Sequence, residues 1–275
     1  MEWRERDGVR WLEADLGTGR AAFSTRLGGV SEAPFDRLNL GVLTDDDAAA
    51  VAENRRRLAA ALGLAPERIA FARQVHGTDL IHRPPPSRGS FRADFVSKEP
   101  RESTPLSRGS LWTDMDRLEP RGGGLPRADG QVVTEAGWAG LVFVADCLPV
   151  ALAGAGGLAM LHCGWRGLAG GIVSAGAEAV GATRAAVGPG IGPCCYEVGD
   201  EVLGAFAGLG EGVAAGRMLD LHEVARRLLA AAGVEEVESA GLCTACEAEL
   251  FFSHRRDAGR TGRQAGLAWL DEGVG

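Results

Sequence analysis

The stretch Leu141–Arg166, LVFVADCLPVALAGAGGLAMLHCGWR, constrains the fold most. It reads as two buried strands, each ending in groups capable of chemistry. The first delivers Asp146 and Cys147 just ahead of Pro149, and the second delivers His162 and Cys163 into Gly-Trp-Arg-Gly. Side chains alternate between faces along a strand, but ends and turns can aim neighbours into one cleft. A thiol and an imidazole on adjacent strand ends suit either a metal site or a Cys–His nucleophile pair. In the second case Asp146 or another group orients the base. The 15 uncharged residues between Asp146 and His162 are too few for a bilayer, and Pro149 and the Gly154 to Gly157 turn interrupt them.

The chain has 275 residues, enough for one large domain, and a net charge of −8, which argues against nucleic-acid or anionic-membrane partners. Its basic residues are nearly all arginine, with Lys98 the only lysine. The opening residues MEWRERDGVR alternate charge and lack an apolar run, so no export signal is expected. With that reading, the six cysteines are expected to be reduced thiols or ligands in the cytoplasm.

Strand-forming residues run to Phe23, followed by Ser24-Thr25-Arg26-Leu27-Gly28-Gly29-Val30-Ser31. The glycines and small hydroxyls there, with Arg26, suggest either an anion cradle or a surface turn. Asp45 to Asp47 open a helix with Val51, Leu58 and Leu62 on its apolar stripe, and Gly63 ends it. A strand near Ile69 to Phe71 leads to Gln74-Val75-His76-Gly77, which puts His76 at a strand–turn junction. Residues 84–127 hold seven of the twelve prolines and read as an insertion, partly ordered near Phe91, Phe95 and Trp112. After Arg166 the pattern predicts a helix over 167–181, a strand over 184–188 and a helix from Glu201 toward Leu209. Asp220 and Glu223 then form a capping box for a further helix, and a last strand runs over 265–270. Cys194-Cys195 reads as a tight loop with buried thiols, because vicinal cysteines are poor co-ligands. Cys243-x-x-Cys246 lacks the second pair that a zinc knuckle needs.

His76, Cys147 and His162 all fall at strand or turn junctions. Two imidazoles and a thiolate form a borderline-soft set suited to zinc, with one position left open. Copper held by the same set, a Cys147–His162 nucleophile pair, and ordinary core cysteines are the alternatives.

Taken together, Phe23-Ser24-Thr25-Arg26 with Gly28-Gly29-Val30-Ser31, Asn39-Leu40-Gly41, Gln74-Val75-His76-Gly77, Ala145-Asp146-Cys147, His162-x-Gly164-Trp165-Arg166-Gly167 and Gly188-Pro189-x-Ile191-Gly192 resemble the YfiH laccase-domain family. Cys243-Thr244, Phe251-Phe252-Ser253, Arg255-Arg256 and Thr261-Gly262-Arg263 fit it as well. That family was long labelled multicopper polyphenol oxidase and is now regarded as zinc-dependent purine nucleoside phosphorylases that also deaminate adenosine. The resemblance implies an α/β fold, a single domain of mixed β-sheets flanked by helices; the insertion at about 84–127 departs from it, being longer than the family's connection. It implies a metal site of His76, Cys147 and His162 holding Zn2+, with Cu2+ as the alternative, and these three as the catalytic groups. Arg26, and secondarily Arg166, would hold phosphate or substrate. Purine nucleosides (adenosine, inosine, guanosine, methylthioadenosine) and phosphate would be the small-molecule partners of a monomer or small homo-oligomer. The family also resembles toxin deamidases with a Cys–His pair. Cys163 stands where alanine is expected, placing a second thiol beside His162.

Overall fold

The computed structural model describes residues 1–41, 43–84 and 125–271. Six strands form a first sheet: β1 (Glu2–Arg6), β2 (Val9–Asp15), β3 (Gly19–Ser24), β4 (Ile69–Ala70), β7 (Ala139–Val144) and β14 (Gln264–Leu270). Their spatial order is β1-β2-β3-β14-β7-β4. A second six-stranded sheet contains β5 (Leu80–Arg83), β6 (Gly130–Val133), β8 (Leu148–Gly154), β9 (Gly157–Cys163), β10 (Ala182–Val187) and β13 (Glu236–Ser239). Its order is β13-β10-β8-β9-β6-β5. A two-stranded ribbon joins β11 (Ala214–Ala215) to β12 (Met218–Leu219).

The two sheets face each other, and helices cover both outer faces, so four layers stack. Leu12, Ala14, Phe23, Val142, Leu158 and Met160 fill the space between the sheets. Outside the first sheet lies α1 (Ala48–Leu62), whose Leu58 and Ala59 pack with Trp11, Leu141 and Leu267. Asp47 caps it by accepting from the Ala50 amide at 2.8 Å, and Gly63 ends it in the left-handed region at φ 71°. Outside the second sheet lie α2 (Trp165–Gly170), α3 (Ile172–Val180), α4 (Asp200–Phe206) and α5 (Leu221–Ala231). Their apolar faces meet Leu148, Val150, Leu152, Ala159 and Leu161. Mixed sheets flanked by helices are the architecture that the resemblance implies.

Three local expectations are corrected. The opening stretch holds three strands, because the chain leaves β7 in the first sheet, turns at 145–147, and enters β8 in the second. The helix expected over 167–181 is two helices, broken where Gly171 adopts φ 94°. Asp220 does cap α5, accepting from the Glu223 amide at 3.0 Å. The Glu223 carboxylate, however, pairs with Arg226 and Arg227 instead of completing a capping box. The insertion at 84–127, with the order anticipated near Phe91, Phe95 and Trp112, lies outside the described residues except for its ends.

Strand parity decides what faces what. In β8 and β9, Leu148, Val150, Leu152, Ala159, Leu161 and Cys163 face the helices, whereas Ala151, Ala153, Leu158 and Met160 face the other sheet. Cys147 and His162 share the second parity, so both point toward the inter-sheet layer. Cys163 lies fully buried on the helix side and does not join His162. Burial pushes its thiol well above the ordinary value, with the nearby Cys147 and Asp129 charges adding to the rise.

The sheets approach closely at Gly266, where an added Cβ would stand 2.6 Å from the Pro149 Cβ and 3.0 Å from the Met160 Sδ. Gly266→Val is therefore expected to destabilise the fold by about 1–3 kcal/mol through overpacking. A lower urea midpoint at unchanged m value is the readout.

Candidate metal centre

Three segments meet at one end of the inter-sheet layer. The loop 73–79 brings His76, the turn 145–147 brings Cys147, and the end of β9 brings His162. Their ligand atoms all lie within 4.8 Å of one another, and the two imidazole rings sit 4.8 Å apart at 70°. Pairing of Pro149 with His162 in the β8–β9 ladder places the strand entry beside the strand exit.

A fourth residue, not singled out in the sequence, holds this arrangement. Asp129 is fully buried immediately before β6, and its carboxylate lies 2.8 Å from His162 Nδ1. The same carboxylate accepts from the amides of Val75 at 3.0 Å, His76 at 2.9 Å and Gly77 at 2.7 Å. Its backbone carbonyl accepts from His162 N at 2.7 Å. Burial alone would raise the Asp129 carboxyl, but the His162 bond and the Gly77 and Val75 amides hold it below the usual range. A carboxylate behind Nδ1 fixes that nitrogen as the protonated one and leaves Nε2 to a ligand. The three amides also stabilise the tight loop that carries His76 at φ 59°. Gln74 pins the same loop to β7, donating to the Phe143 carbonyl at 2.8 Å and accepting from its amide at 2.7 Å.

Asp146 does not orient His162. Its carboxylate accepts from Thr244 Oγ1 at 2.7 Å and the Arg255 amide at 2.7 Å, and its carbonyl accepts from the Ile191 amide at 2.8 Å. These bonds hold the inter-sheet turn, in which Asp146 adopts φ 93°. Gly164 supplies space, since a Cβ there would lie 3.0 Å from the Cys147 Sγ and 3.1 Å from the His76 Cδ2. The glycine of the His-x-Gly-Trp-Arg run is thus part of the site's geometry.

Burial would push the Cys147 thiol up and the His162 imidazole down. Their mutual attraction, together with Asp129 behind the imidazole and His76 beside the sulfur, reverses both shifts. Cys147 falls to about 6 and His162 rises to about 9. A partly exposed thiolate between two imidazoles, one of them oriented by a carboxylate, fits a divalent cation such as zinc or copper.

The triad opens onto a cavity of about 770 Å³, the size of a small-molecule site. Arg73, Arg166, Arg255 and Arg263 line it, with Phe143, Trp165 and Tyr196 among its aromatic walls. Arg166 stacks over Trp165 at 4.2 Å, and Arg255 over Tyr196 at 5.2 Å. Arg26 is not among the lining residues. Its guanidinium donates to the carbonyls of Asp36 at 2.7 Å and Ala248 at 3.1 Å, and pairs with the Asp36 carboxylate at 3.0 Å. The neighbouring glycine-rich turn is filled in the same way. The Val30 amide donates to Asn54 Oδ1 and the Ser31 amide to the Arg37 carbonyl, while a Cβ on Gly29 would fall 2.2 Å from that carbonyl oxygen. Of the two readings left open for this segment, these bonds favour a turn that braces the chain.

Two outcomes test this electrostatic account. In metal-stripped protein, alkylation of Cys147 followed on its peptide should keep its rate above about pH 6 and lose it as the pH falls through that value. The thiolate is the reacting form, and its proton returns below the lowered pKa. Asp129→Asn should raise that midpoint and weaken zinc binding about 10- to 100-fold in chelator competition.

Comparison with known proteins places the chain. The family model described as multi-copper polyphenol oxidoreductase laccase matches residues 20–271. The purine nucleoside phosphorylase of Pseudomonas aeruginosa is 37% identical over 268 residues, covering 92% of this chain and 94% of that protein. The purine nucleoside phosphorylase YfiH of Escherichia coli is 36% identical over 263 residues, covering 91% and 93%. The crystal structure of YlmD from Geobacillus stearothermophilus superposes with a TM-score of 0.78 at 33% identity, covering 98% of each chain. Extended over nearly the whole chain at both levels, this likeness shows that the protein belongs to the YfiH, or multi-copper polyphenol oxidoreductase laccase, family.

Proposed function

We propose that the chain is a zinc-dependent purine nucleoside phosphorylase of the cytoplasm, cleaving nucleosides such as adenosine, inosine, guanosine or methylthioadenosine to base and pentose 1-phosphate. The observation that supports this most is one cavity shared by a His–Cys–His donor set, four arginines and aromatic walls. Phosphate needs cations, a purine needs flat apolar surfaces, and both must reach one sugar carbon. The purine nucleoside phosphorylase names of the relatives agree with this reading.

His76, Cys147 and His162 would hold the metal, which supplies Lewis acidity at the cavity wall. Arg166 and Arg255, each stacked on an aromatic ring, would hold phosphate near the sugar. Arg166 keeps the role the resemblance gave it, whereas the position of Arg26 favours a brace. Cleavage of the glycosidic bond develops positive charge on the sugar and negative charge on the departing base. The phosphate anion offsets the first, and donors at the cavity wall offset the second. Asp129 keeps His162 aligned throughout. Loss of the adenosine 6-amino group as ammonia is proposed as a side reaction of the same site.

Copper loading of the same triad is the second reading, since two imidazoles and one thiolate also suit copper. Beyond the triad, the four cysteines at 194, 195, 243 and 246 form the other group of three or more potential ligands among the described residues. The sequence between 85 and 124 contains neither histidine nor cysteine.

Zinc-loaded protein incubated with inosine should release hypoxanthine only when phosphate is present, and adenosine without phosphate should yield ammonia and inosine. Cys147→Ala should abolish both. Arg166→Ala should raise the phosphate KM about tenfold or more, the range expected for one charged hydrogen bond. No base release from zinc-loaded protein, with phenol oxidation after copper loading, would replace this reading with the oxidase.

A further inference from the structure

Away from the cavity wall that carries the triad, a second ligand cluster forms from cysteines that looked unrelated in the sequence. The loop after β10 carries Cys194 and Cys195, and the loop after β13 carries Cys243 and Cys246. A short backbone ladder joins the loops: the Gly190 amide donates to the Leu242 carbonyl at 3.2 Å, and the Thr244 amide to the Gly190 carbonyl at 3.0 Å. The four Sγ atoms consequently lie within 4.8 Å of one another, with Cys246 3.4 Å from Cys194 and 3.5 Å from Cys195. Four sulfurs bound tetrahedrally at about 2.3 Å from zinc stand about 3.8 Å apart, so little movement separates this cluster from that geometry.

We propose that Cys194, Cys195, Cys243 and Cys246 form a tetrathiolate zinc site, distinct from the His76–Cys147–His162 centre, that staples the 188–198 loop to the 240–256 loop. Binding releases four protons to solvent and leaves the oxidation state of sulfur and metal unchanged. Sulfur-only donors favour zinc over hard cations. Cys194 and Cys246 are exposed, so the cluster is reachable from solvent, contrary to the expected loop of buried thiols.

The surroundings support ligation. The Gly192 amide donates to the Cys243 Sγ at 3.2 Å, a bond suited to a thiolate ligand. A Cβ on Gly192 would crowd the Cys243 Cβ at 3.2 Å and the Cys194 Sγ at 3.4 Å, so glycine leaves room for the sulfurs to converge. Arg256 donates to the carbonyls of Thr244 at 2.9 Å and Ala245 at 3.5 Å, placing positive charge at the Cys-x-x-Cys turn. A disulfide would need about 2.05 Å between one chosen pair, whereas Cys246 stands almost equally far from two partners.

The staple has a reason to exist in this fold. Thr244 and the Arg255 amide, both on the second loop, hold the Asp146 carboxylate, and the Arg255 side chain reaches the Glu197 carbonyl at 2.8 Å on the first. Fixing the two loops together therefore fixes the back of the turn that presents Cys147.

The test does not depend on enzymatic activity or on the reading of the first site. Full-length Cys147→Ala protein, lacking one ligand of the triad, is purified without chelator, and its zinc content and native mass are measured. Retention of one tightly held zinc per chain, lost again when Cys246→Ser or Cys195→Ser is added, is the expected result. If those double variants fail to fold, cobalt exchange into Cys147→Ala protein serves instead, and tetrahedral thiolate–cobalt absorption is expected. A Cys147→Ala chain without zinc, or with the four cysteines paired as disulfides by mass, overturns the proposal. Iron with acid-labile sulfide in their place overturns it equally.

Discussion

One buried carboxylate organises the candidate centre. Asp129 takes three amides from the His76 loop and the imidazole of His162, so a single group couples an irregular loop to a strand end. Fully removed from water, it must be satisfied on nearly all of its acceptor positions, and each partner that satisfies it also serves the site. The loop could not hold His76 at a positive φ without those amide bonds, and the His162 ring could not keep its orientation without the same carboxylate. The protonation pattern of Cys147 and His162 follows from this ordering.

The sandwich supplies the rest. A chain that passes from one sheet to the other must expose polar backbone on the way, and the 145–147 turn is one of the places where this happens. Bonds from Thr244, Arg255 and Ile191 satisfy Asp146 there, which leaves Cys147 to face the cavity. The site therefore combines the end of a second-sheet strand with a turn between the sheets and an irregular loop, and it exists only when the two sheets are docked.

Much of this was legible in the sequence. His76, Cys147 and His162 stood out because each falls at a strand or turn junction, and the structure brings all three together. Asp129 was missed because Ala-Asp-Gly before a strand resembles any surface turn, and nothing local tells that its carboxylate is buried. Arg26 was legible only in part: glycines and small hydroxyls signal close backbone approach, but not whether the approaching group is an anion or, as at Gly29, another segment of the same chain. The four cysteines were judged pair by pair, whereas their convergence depends on a ladder between loops some fifty residues apart. Long-range pairing of irregular segments leaves no periodic trace.

The tight β8–β9 hairpin, with Gly154 paired to Gly157, has a consequence beyond the fold. His162 and Cys163 are sequence neighbours, one a candidate ligand and the other sealed among aliphatic side chains, and only the phase of β9 separates them. A slip of one residue would exchange the two, offering the metal a thiol and burying an imidazole in an apolar layer. The pairing register of a hairpin that touches no substrate thus matters as much as the identity of the candidate ligands. Any change that shifted the phase of β9 would be as damaging as loss of the histidine itself.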